Sequence, residues 1–178
     1  MTIFLIFLMV FAVYLPLPLT ANYLHNIHSI SFSMLGILGA LTSLGYVILA
    51  LLTGHLNPEI NILLTQILMI LFCWLVYQGN GIFIFSVAYL FASGYRYLRS
   101  MVVAFSRQLV QKKNTGLAFG IIETVSAIGY TIASIVAGFI AAFNTRNLYP
   151  ISFIILIFSL LFSIIALNYI KRENLLRK

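Results

Sequence analysis

Apolar positions along this chain come in long runs, and polar positions come in short clusters between them. Six runs stand out, at about residues 3–23, 34–53, 60–77, 82–105, 117–143 and 151–170. Each is long enough, at about 1.5 Å rise per residue, to carry a helix across a hydrocarbon core of about 30 Å. The clusters between them, HNIHSISFS, GHLNPE, YQGNG, QKKNTG and NTRNLYP, are polar, turn-forming or Pro-containing. Strict alternation of apolar and polar residues is absent, which argues against a transmembrane barrel. The pattern therefore predicts an all-α membrane protein: a bundle of six transmembrane helices over 1–170, then a basic cytoplasmic tail at 171–178.

Finer patterning separates the six helices. Pro16 and Pro18 should bend or unwind the first, since proline removes a helical donor and clashes with the preceding turn. The second carries small residues four apart, Gly36 with Ala40 and Gly39 with Ser43. The fifth carries Gly129, Ala133, Ala137 and Ala141 at the same spacing. Such stripes let helix backbones approach closely in lipid. The third and sixth are more uniformly bulky and apolar, and are expected to face lipid.

Composition strengthens the membrane reading. The chain is 62% hydrophobic and 7% charged, where a soluble domain has about 25% charged residues. The formal charge of +7 could suggest nucleic acid, but its distribution explains it better. Arg96, Arg99, Arg107, Lys112 and Lys113 cluster at the fourth–fifth connection, and Lys171, Arg172, Arg177 and Lys178 form the tail. Six crossings put both clusters on one side, with only Arg146 opposite, so both termini are expected in the cytoplasm. Residues 1–21 lack a charged leading segment and a clear small-x-small cleavage site, and are read as a helix rather than a signal peptide. Cys73, the one cysteine, sits in an apolar run and reads as a packing residue.

Polar residues at membrane depth narrow the chemistry, because burying them is costly. Tyr89, Ser93, Arg96, Arg99 and Arg107 share roughly a third of the circumference of a straight fourth helix at about 100° per residue. Glu123, Ser126, Tyr130 and Ser134 share one face of the fifth, and Tyr14, Pro18 and Asn22 form a stripe on the first. Three helices thus each present one wet face, as a bundle around an aqueous cavity requires. Counting about 1.5 Å per residue from the helix entries places Arg96 about 22 Å deep and Glu123 about 9 Å deep from the opposite end. Those depths put the two near one level. Arg99 and Arg107 lie closer to the edge, within reach of interfacial anchoring. Glu123 needs a partner, a proton or water, so it is expected to face Arg96 or Arg99. Two roles stay open for that pair, a static brace between helices or a functional charge. A free Arg96 would favour an anionic substrate, and a titrating Glu123 would permit proton coupling.

Other chemistries find little support. The only acids are Glu59, Glu123 and Glu173. His25 and His28 make an H-x-x-H without a third ligand, and His55 stands alone, so no metal is expected. There is no glycine-rich phosphate loop, no G-x-S-x-G and no H-E-x-x-H, so no catalytic residues, enzyme activity or cofactor are expected.

Taken in order, these features resemble the C-terminal half of a major facilitator superfamily transporter. The resemblance rests on LVQKKNTGLAFG at 109–120, AIGYTIASIVAGFI at 127–140 and SMLGILGALTSLGYVILALLTGHL at 33–56. Pro58 and Glu59 stand where the family's loop motif has Asp and Arg, and Ala133 and Ser134 stand where an antiporter motif has Gly and Pro. The resemblance implies that the first and fourth helices line a central cavity, that the second and fifth face the other half, and that the third and sixth lie outside. It implies transport of a small solute by alternating access across the cell (inner or plasma) membrane, with substrate between two halves. Candidate substrate or coupling residues are Tyr14, Asn22, Tyr89, Arg96, Arg99, Glu123, Ser126 and Tyr130. The expected partners are the lipid bilayer, a small-molecule substrate, and an N-terminal half or a second copy of this chain; nucleic acid is not among them. The competing reading is a membrane scaffold or assembly subunit, which would present a sealed bundle.

Overall fold

The computed structural model describes residues 2–109 and 115–176, the side chains of 108–109 and 171–176 excepted. Its helices are α1 (Thr2–Tyr14), α2 (Thr20–His28), α3 (Phe32–Thr53), α4 (Pro58–Gln78), α5 (Ile82–Ala92), α6 (Gly94–Leu109), α7 (Thr115–Asn144) and α8 (Leu148–Leu176). A 3-10 turn at Thr145–Asn147 joins the last two. No strand occurs among the described residues. Helices α3 and α4, and the stretch from α7 into α8, are long and apolar enough to cross a membrane. Lys112, Lys113, Arg177 and Lys178, and the side chains of Lys171, Arg172 and Glu173, lie outside the described residues.

Two of the predicted runs are each a pair of helices. The first breaks between Tyr14 and Thr20, across Pro16 and Pro18. Thr20 Oγ1 donates to the Pro16 carbonyl at 2.6 Å, satisfying an acceptor that the break frees. The helix that follows runs on to His28, so His25 and His28 are helical rather than loop residues; Ser29 then ends it in the left-handed conformation.

The fourth run breaks at Ser93, where there is no proline. Ser93 donates from both its amide and its hydroxyl to the Leu90 carbonyl. The break is wedged between neighbours. A Cβ at Gly45 of α3 would lie 2.6 Å from the Leu90 carbonyl oxygen, and one at Gly94 would lie 3.0 Å from the Thr65 carbonyl oxygen of α4. Glycine at position 45 is what lets α3 meet the Leu90 carbonyl, and at position 94 a Cβ would be a tight fit against α4.

Helix α1 lies against α7 and α8, α4 against α5, α6 and α8, and α3 against α5. Leu5, Met9, Met69, Phe72 and Leu156 are fully buried where these helices converge. In lipid, apolar burial gains little over contact with acyl chains, so close packing and polar pairing hold such contacts.

The third and sixth runs are not purely lipid-facing. Their outer faces are exposed, at Ile67, Trp74, Phe158 and Ile165, but each also turns a polar face inward. Asn61, Thr65 and Gln66 of α4 are buried, as are Ser159 and Ser163 of α8. Gln66 Nε2 donates to Ser163 Oγ at 3.0 Å, and Ser159 Oγ donates to Gln66 Oε1 at 3.0 Å. Neutral groups that satisfy one another can sit in a dry interface at little cost. The least buried of the three long apolar segments is α3, which leaves Gly36, Ile37, Ala40 and Val47 exposed.

Candidate functional site

Two half-open clefts lie side by side where α1, α3, α5, α6 and α7 meet. The first, of about 290 Å³, is lined by Tyr14, Pro18, Thr42, Tyr89, Tyr95 and Arg96, among others. The second, of about 480 Å³, is lined by Tyr14, Tyr46, Tyr95, Arg96, Arg99, Ser100 and Tyr130. Tyr14, Tyr95 and Arg96 belong to both and so join them. The helix breaks set this geometry. Tyr14 ends α1 where the proline segment begins, Tyr89 stands before the Ser93 break, and Tyr95 and Arg96 stand just after it.

Aromatic rings form the walls. The Tyr14 ring lies 4.7 Å from that of Tyr130 and 6.4 Å from that of Tyr95. Tyr89 meets Phe72 edge-on at 6.2 Å. Behind them, the Tyr97 hydroxyl accepts from Thr53 Oγ1 at 2.9 Å, and the Tyr46 and Ser100 hydroxyls lie 3.3 Å apart.

Of the two partners left open for Glu123, the structure selects Arg99. Glu123 pairs with Arg99, through Nη2 at 2.8 Å and Nε at 3.3 Å. Arg99, expected at the membrane edge, is therefore the partner, and both side chains remain about half exposed. Arg96, set level with Glu123 by depth counting, makes no ion pair with a described residue. Its Nε donates to the Tyr95 hydroxyl at 2.7 Å and its Nη1 to Ser43 Oγ at 2.9 Å. Its guanidinium also lies 5.6 Å from the Tyr95 ring centre. Arg107 lies outside the clefts, 5.3 Å from the Phe119 ring centre.

Of the candidates, Tyr14, Tyr89, Arg96, Arg99 and Tyr130 line the clefts, and Glu123 reaches them through Arg99. Asn22 lies on exposed α2, accepting from Asn26 at 2.7 Å, and Ser126 is buried; neither is among the lining residues. The site also includes Tyr95, Tyr46, Ser43, Ser100 and Thr42, which the sequence reading passed over. The tyrosine-rich string YRYLR carried a signal for Tyr95. Ser43 stands out in the sequence only as a small packing residue and nothing local singles out Thr42, because their role comes from α3 crossing the Ser93 break. No group of three or more His, Cys, Asp or Glu residues that could hold a metal occurs among the described residues.

The model of the family described as Major Facilitator Superfamily matches residues 2–177. No curated protein matches the chain.

Proposed function

Because the chain belongs to the Major Facilitator Superfamily, a family of membrane transporters, we propose that it acts as the C-terminal six-helix half of a secondary transporter. In this reading α1 with the start of α2 to Tyr23, then α3, α4, α5 with α6, α7 and α8 make six crossings of the cell membrane, and His28 at the end of α2 lies outside them. Both termini are cytoplasmic, as the Lys and Arg distribution favours. A small solute binds in the joined clefts, which face an N-terminal half or a second copy of this chain. Alternating access then exposes the solute to one side at a time. The exposed face of α3 is suited to that partner.

The observation that carries this reading is the pair of connected, half-open clefts lined by Tyr14, Tyr95 and Arg96. A scaffold subunit has no need of them. Arg96 and the tyrosines are the substrate-contacting residues, and the Arg99–Glu123 pair joins α6 to α7 at the rim as the candidate gating or coupling element.

Water access tests the reading without knowledge of the substrate. In a Cys73→Ala background, Ser100→Cys should react with a membrane-impermeant thiol reagent from one side of the membrane. If Ser100→Cys stays unreactive from both sides in a folded protein, the cleft is sealed and the scaffold reading replaces this one. Glu123→Gln in proteoliposomes then separates coupling from bracing. Loss of dependence on an imposed pH gradient supports coupling, and unchanged dependence removes it.

A further inference from the structure

The charge balance of the clefts sets the class of solute. Of the two acids with described side chains, Glu59 and Glu123, only Glu123 reaches this region, and both its oxygens are engaged by Arg99. That pair sums to no net charge. Arg96 stands beside it with two donors on neutral oxygens, Tyr95 and Ser43, and no described residue engages its Nη2. Among the described side chains, the joined clefts therefore carry one net positive charge, on Arg96, which is common to both. Around it stand rings rather than further charges: Tyr14, Tyr46, Tyr89, Tyr95 and Tyr130. Tyrosine faces take planar apolar groups at low entropic cost and offer hydroxyls at their edges. A guanidinium with Nη2 still open can donate a charge-assisted hydrogen bond to an oxyanion. Sites for small organic molecules have this make-up, mostly apolar and aromatic walls with few polar groups, and the larger cleft falls within their usual volumes of about 300–1,000 Å³ while the smaller sits at the lower limit.

We propose that the joined clefts bind an aromatic monocarboxylate, with the ring among the tyrosines and the carboxylate on Arg96. This rests on the transport reading, since it names the solute class of the same site. Arg96 is the specificity-determining residue. Arg99 and Glu123 set the charge count without touching the solute.

Three isosteric probes separate charge from shape: benzoate, benzamide and benzamidinium. Their binding to the folded chain in nanodiscs of zwitterionic phosphatidylcholine, read by saturation-transfer NMR against empty nanodiscs, should rank in that order. Benzoate should bind at least about tenfold more tightly than benzamide, as expected for a charged hydrogen bond against a neutral one. Arg96→Gln should bring benzoate and benzamide level, and Arg96→Lys should restore part of the preference. Glu123→Gln leaves two cations and should raise affinity for the dianion terephthalate relative to benzoate, whereas Arg99→Gln should cancel the anion preference by leaving Glu123 unpaired. Circular dichroism confirms that each variant is folded.

If benzamide or benzamidinium matches benzoate on the unsubstituted chain, the solute class is overturned and the transport reading stands. An anion preference that survives Arg96→Gln overturns the assignment to Arg96. If none of the three probes binds saturably to the folded chain, the aromatic-monocarboxylate class is overturned, and access of the thiol reagent to Ser100→Cys still decides the transport reading.

Discussion

The α4–α8 seam and the tyrosine clefts both place polar side chains on apolar helices, yet they treat them in opposite ways. At the seam, Gln66, Ser159 and Ser163 are buried and hydrogen-bonded to one another. In the clefts, Arg96 is exposed and the Arg99–Glu123 pair half exposed. The difference follows from what each group needs. An amide and two hydroxyls, all neutral, can satisfy much of one another's hydrogen bonding in a dry contact. A guanidinium has five donors and a charge that stays costly in hydrocarbon even when partly bonded. Polarity within a membrane run therefore marks a packed helix contact as readily as a site, and charge with exposure tells the two apart.

The largest expected effect tests what holds the clefts open. Gly45 brings α3 onto the Leu90 carbonyl, and Gly45→Ala would set a Cβ 2.6 Å from that oxygen. A backbone atom cannot rotate away, so the substitution should destabilise the chain by about 3 kcal/mol, the upper part of the range for overpacking. Gly36→Ala on the same helix meets nothing within 4 Å. It should be neutral or slightly stabilising, by up to about 1 kcal/mol from helix propensity. Thermal unfolding in detergent, followed by Trp74 fluorescence, compares the two. Equal effects would mean that the α3 crossing does not shape the clefts.

The seam comes next in size. Gln66→Ala removes the group that joins Ser159 and Ser163, and should cost about 1–2 kcal/mol of stability. Solute binding by the folded fraction should be unchanged. A shift in binding specificity with stability intact would reverse the roles given to the two regions.

The same contrast explains what the sequence disclosed. Helix positions were legible because hydropathy runs and turn residues report them directly, and the first break was legible because proline enforces it. The Ser93 break was not, because it arises from the close approach of Gly45 and Gly94 to neighbouring backbones rather than from a local breaker. Both breaks then undid the site arithmetic. Counting at 100° and about 1.5 Å per residue assumes one straight helix. Across Ser93 that assumption set Arg96 level with Glu123, and of the two arginines left open as partners it is Arg99 that makes the pair. Across Pro16 and Pro18 it put Asn22 on a stripe with Tyr14, whereas α2 starts a new helix and carries Asn22 out of the clefts. Tyr14, Tyr89, Arg96, Arg99 and Tyr130 all line the clefts, whereas Ser126, on unbroken α7, is buried away from them. The seam escaped notice because Asn61, Thr65 and Gln66 were averaged into a hydrophobic run, although their spacing already marks one helix face.

A smaller effect decides whether the clefts are wet. An exposed ion pair couples by less than about 1 kcal/mol. A double-mutant cycle on Arg99→Gln and Glu123→Gln should therefore return a coupling in that range, weakening as salt is raised. A coupling of several kcal/mol, insensitive to salt, would place the pair in a dry contact like the seam and remove the distinction between the two regions.

His28 gives the smallest effect and the case that fits neither region. Its ring lies against Tyr23 and Phe85, at 5.4 and 4.8 Å, and its Nε2 is buried with no hydrogen-bond partner among the described residues. Burial, and after it the Arg146 charge, lowers its pKa below the ordinary 6.5. Arg146 itself lies over the Tyr77 ring at 5.1 Å. A histidine whose folded pKa is depressed resists protonation, so as pH falls below 6.5 the unfolded chain takes up a proton that the folded chain refuses. His28 should therefore make the chain less stable on acidification, with the loss beginning near that value and levelling off below the folded pKa. The midpoint of thermal unfolding should drop between pH 7.5 and pH 5.5, and His28→Phe, which fills the same aromatic surroundings without titrating, should shrink that drop. An undiminished drop in His28→Phe would move the acid sensitivity to other groups and show that the unpaired ring nitrogen is reached by water after all, as the charges of the clefts are.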